Sequence, residues 1–186
     1  MTDLVFLGIT KTQWELINSF SSWLSAIGTI AAVVVSLWLA TRASRLRCNA
    51  HVGHRLIIEH GMQGNFPEVI IFRIINTGDK PFRVNSIGWT TGAFRWKREA
   101  MQMHDRVQSS PLPVELQHGQ EAQWVVPLLS DEQGWMKSFP AKMLRPHPLY
   151  RCATLRAIFV TSVGKTFTAR PEAGLLKKIR EAAVRQ

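Results

Sequence analysis

The sequence predicts a single N-terminal transmembrane helix, an all-β antiparallel domain behind it, and a short amphipathic helix at the C-terminus. Three observations carry that expectation. Residues 16 to 41 are a run of 26 residues without a formal charge. Beyond residue 50 the apolar runs shorten and are separated by turn residues, which is the habit of strands rather than of helices. The last stretch, Glu172 to Arg185, returns to helical spacing, with Leu175, Leu176, Ile179, Ala182 and Ala183 on one side and Pro171 before it.

The expected organisation is a short N-terminal segment (1–15), the membrane helix (16–41), a basic juxtamembrane linker (42–50), the β domain (51–170) and the C-terminal helix (171–186). The most apolar part of the span reads WLSAIGTIAAVVVSLWLA from Trp23 to Ala40. About 20 apolar residues in a helix cross a hydrocarbon core of roughly 30 Å. Trp14 and Trp23 lie toward one boundary and Trp38 toward the other, where amphipathic rings favour the headgroup zone, and Arg42, Arg45 and Arg47 follow. A cleaved leader has the reverse order, with positive charge before a shorter apolar region. Lys11 is the one basic side chain before the span, so the arginines are expected to hold the C-terminal domain in the cytoplasm. That makes a single-pass inner-membrane protein with its N-terminus outside. Within the helix Ser21, Ser25, Gly28, Ala32 and Ser36 form a small-residue ridge on which another helix, or a second copy of this one, is expected to pack.

The net charge of +10 is uneven. Before Arg42 stand Lys11, Asp3 and Glu15, leaving 22 basic and 11 acidic residues beyond it. A basic domain tethered to a bilayer is drawn to anionic headgroups, which are nearer than any nucleic acid, so the bilayer is the expected partner and nucleic acid is not. The mean hydropathy of −0.03 averages an apolar first quarter with a polar, turn-rich remainder. Cys48 and Cys152 lack the spacing of a disulfide scaffold and fit a reducing compartment.

The expected strands begin with His54 to His60 and Val69 to Ile75, separated by a turn at Gly61 to Pro67. The turn Asn76 to Pro81 leads into Phe82 to Trp89, whose alternation slips at Ser86 as at a bulge. Phe94 to Met103 reads as a further strand. PVEL and Ala122 to Leu128 flank a turn at Gln117 to Gln120, and Cys152 to Thr161 and Lys165 to Ala169 flank another at Ser162 to Gly164. Seven or eight strands result, with a short helix between Asp131 and Leu144.

On the anchor WLSAIGTIAAVVVSLWLA, on IINTGDKPFRVNSIGW (Ile74 to Trp89) and on LPVELQHGQEAQWVVPL (Leu112 to Leu128), the chain resembles bacterial single-pass membrane proteins, largely uncharacterised. These combine an N-terminal anchor helix with a cytoplasmic immunoglobulin-like β-sandwich domain. The resemblance implies a fold and a location, and carries no catalytic motif.

Little in the sequence points to chemistry. Cys48, His51, His54 and His60 are of metal-ligating types, but their spacing matches no zinc motif. Gly164, Lys165 and Thr166 end like a phosphate-binding loop, yet Phe159 stands where its first glycine belongs. No serine elbow and no paired carboxylates are present. No catalytic, metal or cofactor residue is therefore named, and an enzyme is not expected. The cluster Arg95, Trp96, Lys97 and Arg98, with Trp89 and Phe94 nearby, is the candidate partner-binding feature. Strand alternation would instead turn Phe94 and Trp96 inward and Arg95 and Lys97 outward. The expected function is a membrane-tethered, non-enzymatic interaction or sensing module for a protein partner at the inner membrane. The alternatives are an oligomerising membrane effector of an antiphage or toxin system, a form of antiviral defence, and an enzyme of unknown type.

Overall fold

The computed structural model describes residues 11–43, 45–58, 66–128 and 134–185. The chain divides into two compact units, Met1–Arg45 and Leu46–Gln186. The first contains α1 (Lys11–Ala43), whose Trp14–Arg42 stretch is long and apolar enough to cross a membrane, with a mean hydropathy of 2.0 and none of the window buried. Two of its threonines bond back to the helix: Thr29 Oγ1 donates to the Ser25 carbonyl and Thr41 Oγ1 to that of Trp38. In an apolar surrounding such internal bonds replace those water would supply.

The second unit holds two antiparallel sheets. The smaller has the order β1 (Cys48–Leu56), β2 (Glu68–Asn76), β6 (Glu121–Pro127). The larger centres on β3 (Phe82–Thr91), which pairs with β4 (Arg98–Met101), β5 (Val114–Leu116) and β7 (Arg156–Thr161), with β8 (Thr166–Ala169) beyond β7. The β3–β7 register shifts between Val84 and Ser86, where the alternation of the sequence slips.

The core forms where inward side chains of both sheets meet. Phe72 of β2 packs edge-on against Trp89 of β3 at 5.0 Å and Phe159 of β7 at 6.0 Å, and Trp124 of β6 lies 6.1 Å from Phe159. All four rings are fully buried. Aromatic side chains of this size supply the largest burial per residue, with ring pairing adding about 0.5–1.5 kcal/mol each.

Three helices share this core: α2 (Trp135–Met143), α3 (Pro148–Thr154) and α4 (Ala173–Val184). Trp135 and Phe139 stack at 4.3 Å, and both pack on Trp89. The indole N–H groups of Trp89 and Trp135 donate to one oxygen, Gln102 Oε1, each at 2.9 Å, which locks α2 to the larger sheet. Leu175, Ile179 and Ala183 bury the apolar face of α4 in the same cluster.

These helices overturn the expected fold class. The unit is a mixed α and β domain whose C-terminal part is about half helical, and the all-β immunoglobulin-like sandwich, with the family resemblance built on it, does not describe it. The physical reason is that two sheets of three and five strands leave Phe139, Met143, Leu144, Leu155 and Leu175 to complete the core, all on or beside helices. The segment from Cys152 is a case in point: Cys152 belongs to α3, and the strand begins at Arg156.

Candidate functional site

β3 turns back into β4 through the loop 92–97, with Thr91 opposite Arg98. The buried Thr91 Oγ1 donates to the Arg151 carbonyl at 2.6 Å, and Gly92 N donates to Thr154 Oγ1 at 2.9 Å, tying the strand end to α3. Gly92 has φ +83°, and a Cβ there would collide with the Trp96 carbonyl oxygen. Only glycine relieves both constraints. The chain then makes a single 3-10 turn, Phe94–Trp96, closed by Trp96 N to the Ala93 carbonyl and Lys97 N to that of Phe94.

This turn reverses the inward placement expected of Phe94 and Trp96. Phe94 is 97% exposed and Trp96 60% exposed, and Arg95, Lys97 and Arg98 are exposed beside them. Phe94 also holds φ +47°, the left-handed region, which costs a bulky residue of order 1–3 kcal/mol. Lys97 pairs with Glu99 at 2.6 Å.

The turn is pinned to a groove. Arg98 Nη1 donates to the carbonyls of Lys142 (3.2 Å) and Arg145 (2.9 Å), and the Trp96 ring lies 6.0 Å from that of His147. Arg145, Pro146, Pro148 and Leu149, on either side of His147, form one wall of a groove of about 1050 Å³. The other wall is the C-terminal half of α4, where Ala183 and Val184 continue the apolar floor. Arg145, Lys177, Arg180 and Arg185 rim it against a single carboxylate, Glu181. The turn thus adjoins, through Trp96 and Arg98, a groove that is apolar in the middle and cationic around the edge.

No family model matches the chain, and no curated protein matches it. Solved structures similar to parts of it include the following two. One is the crystal structure described as the ApaA protein of Bordetella pertussis, 21% identical with a TM-score of 0.30, covering 67% of this chain and 87% of that one. The other is the X-ray structure of structural-genomics target SoR45, 14% identical with a TM-score of 0.29, covering 66% and 80%. At these scores neither likeness carries an argument about fold or function.

The remaining residues singled out by the sequence fall elsewhere. Trp14, Trp23, Trp38 and Arg42 belong to α1, and the Arg42 guanidinium lies 4.9 Å over the Trp38 ring. Arg45 closes the first unit, and Arg47 is the second residue of the other, where its carbonyl accepts from Thr77 N. Ser21, Ser25, Gly28, Ala32 and Ser36 are all exposed on α1, and a Cβ at Gly28 would meet nothing within 4 Å.

Cys48, His51 and His54 lie along β1, with His60 outside the described residues. His54 Nε2 bonds Glu68 Oε2 at 2.8 Å rather than joining a ligand set, and among the described residues no three His, Cys, Asp or Glu groups gather at one point. Burial pushes the Cys48 thiol up to about 11, against the pull of Lys165, and raises that of Cys152 against the pull of Arg180. Gly164 and Lys165 form the β7–β8 turn, with Lys165 Nζ donating to the Leu46 carbonyl.

The sequence flagged Arg95 to Arg98 but missed the groove, whose lining comes from segments about 30 residues apart. The available signal was basic residues at helical spacing, Lys177, Arg180 and Arg185, on the polar side of α4.

Proposed function

We propose that the chain is a single-span membrane protein whose folded domain is a non-enzymatic docking module on the cytoplasmic side. The observation that carries this reading is α1: 29 consecutive apolar-rich residues from Trp14 to Arg42, with none of the window buried. An apolar helix with that much exposed surface calls for lipid. Arg42, Arg45 and Arg47 at its C-terminal end, against Lys11 at the other, favour retention of the domain in the cytoplasm. The docking assignment is supported by the Phe94–Trp96 turn and the groove beside it, which keep large apolar side chains and exposed cations in water.

Two measurements test the proposal. The full chain is expected to stay with the membrane pellet through alkaline carbonate extraction. A C-terminal alkaline phosphatase fusion is expected to be inactive, and replacing Arg42, Arg45 and Arg47 with glutamate to raise its activity several-fold. Release by carbonate would refute the span, and high phosphatase activity in the unmodified chain would refute the orientation.

A further inference from the structure

We propose that the surface formed by the Phe94–Trp96 turn and the α3–α4 groove docks on an anionic phospholipid bilayer, giving the folded domain a membrane contact of its own. The inference rests on the docking-module reading above and names the partner of that surface.

Three features meet in one place. Phe94 stands almost wholly in water on a turn whose backbone it strains, with Trp96 two residues on. Aromatic rings of this kind favour the boundary between headgroups and acyl chains. Arg95 flanks them, and Arg145, Lys177, Arg180 and Arg185 surround the adjoining groove with one opposing carboxylate, Glu181. Cations near an anionic leaflet are each drawn to it, and those at the groove rim stand above an apolar floor that suits an acyl chain beneath a phosphate. The apolar residues of the floor, Leu149 and Val184, are themselves 57% and 62% exposed.

An acidic amphipathic peptide is the competing occupant, because it would satisfy the rim and cover the floor. It would leave Phe94, which does not line the groove, in water. A bilayer accepts the aromatic tip and the cationic rim together. The charge complementarity is also collective, since the second unit carries 20 basic against 11 acidic residues.

The test uses the full chain in nanodiscs of phosphatidylcholine alone, or of phosphatidylcholine with an equal share of phosphatidylglycerol. A nitroxide at Ala93→Cys, which leaves Phe94 and Trp96 in place, reports exposure to oxygen against a water-soluble nickel chelate. The label at Val107→Cys, 93% exposed in a loop held to the middle of β6, is the reference. In the anionic disc, position 93 is expected to lose nickel-chelate accessibility at least threefold relative to position 107. Phe94→Asp with Trp96→Asp, or Arg145→Glu with Arg180→Glu and Arg185→Glu, is expected to restore it, with the circular-dichroism melting curve of each variant confirming the fold. Equal accessibility at 93 and 107 in both discs overturns the proposal. Protection at 93 that appears only with a co-purifying protein also overturns it, in favour of a protein partner.

A label at Val33→Cys in α1 reads the anchor separately. If position 33 is open to the chelate, the span is lost. Position 93, measured with added vesicles of the same anionic composition, then still decides the lipid contact.

Discussion

Asn76 is the side chain on which the turns of the folded domain converge. Its amide is fully buried: Nδ2 donates to the carbonyls of Lys80 (3.0 Å) and Leu116 (2.9 Å), and Oδ1 accepts from Gly78 N (2.9 Å). Its own backbone bonds the opposite turn, N to the Gln120 carbonyl and O from Gly119 N. Asn76→Asp would set an oxygen against two carbonyl oxygens and bury a carboxyl group. A loss of about 2–4 kcal/mol is expected, read as a lowered urea midpoint at unchanged slope. The sequence Asn76–Thr77–Gly78 announces a turn, but the bond to Leu116 spans 40 residues and leaves no local trace. Phe94 is the opposite lesson. Its alternation with Trp96 reads as a strand, and one glycine at φ +83°, two residues earlier, sends the chain out of the sheet.

At the scale of elements, the smaller sheet and α4 are joined by two ion-pair clusters. Lys178 Nζ and His54 Nε2 both reach Glu68 Oε2, at 2.7 and 2.8 Å, and Arg55 grips Glu172 with two bonds of 2.6 and 2.7 Å. The Lys178 bond first, and the Arg55 bond first, hold the two carboxyl groups below the ordinary glutamate value of 4.5. A folded-state pKa below the unfolded one contributes stability that is present above about pH 4.5 and is lost as pH falls through the folded value. Both sites are exposed, so each pair is worth at most about 1 kcal/mol. The melting temperature is expected to fall as pH drops from 5 toward 3, and Glu68→Gln with Glu172→Gln to flatten that fall. A profile unchanged in the double variant would assign the acid sensitivity elsewhere. The amphipathic face of α4 was legible because its period is helical over a dozen residues. α3 was not, since seven residues hardly make two turns and run directly into the apolar strand β7.

For the whole molecule, the division into an apolar helix and a folded domain is plain in the charge pattern, and the turn spacing reveals most of the strands. The class of the domain is hidden, because Trp135, Phe139 and Leu175 are apolar residues whose part in the sheets' core depends on chain segments far apart. That core lies wholly beyond Arg45. Removal of residues 1–45 is therefore expected to leave the melting temperature of the domain within about 2 °C, a shift too small for the loss of any core contact. The two thiols described above carry a consequence of another kind. At neutral pH a thiol of pKa about 11 holds roughly a hundredth of the thiolate of one at 9, so Cys48 offers oxidants almost nothing to attack. Cys152 is 3% exposed and free. Both thiols are therefore expected to react slowly with an alkylating reagent in the native fold and rapidly once the domain is unfolded in urea, a difference read by mass spectrometry.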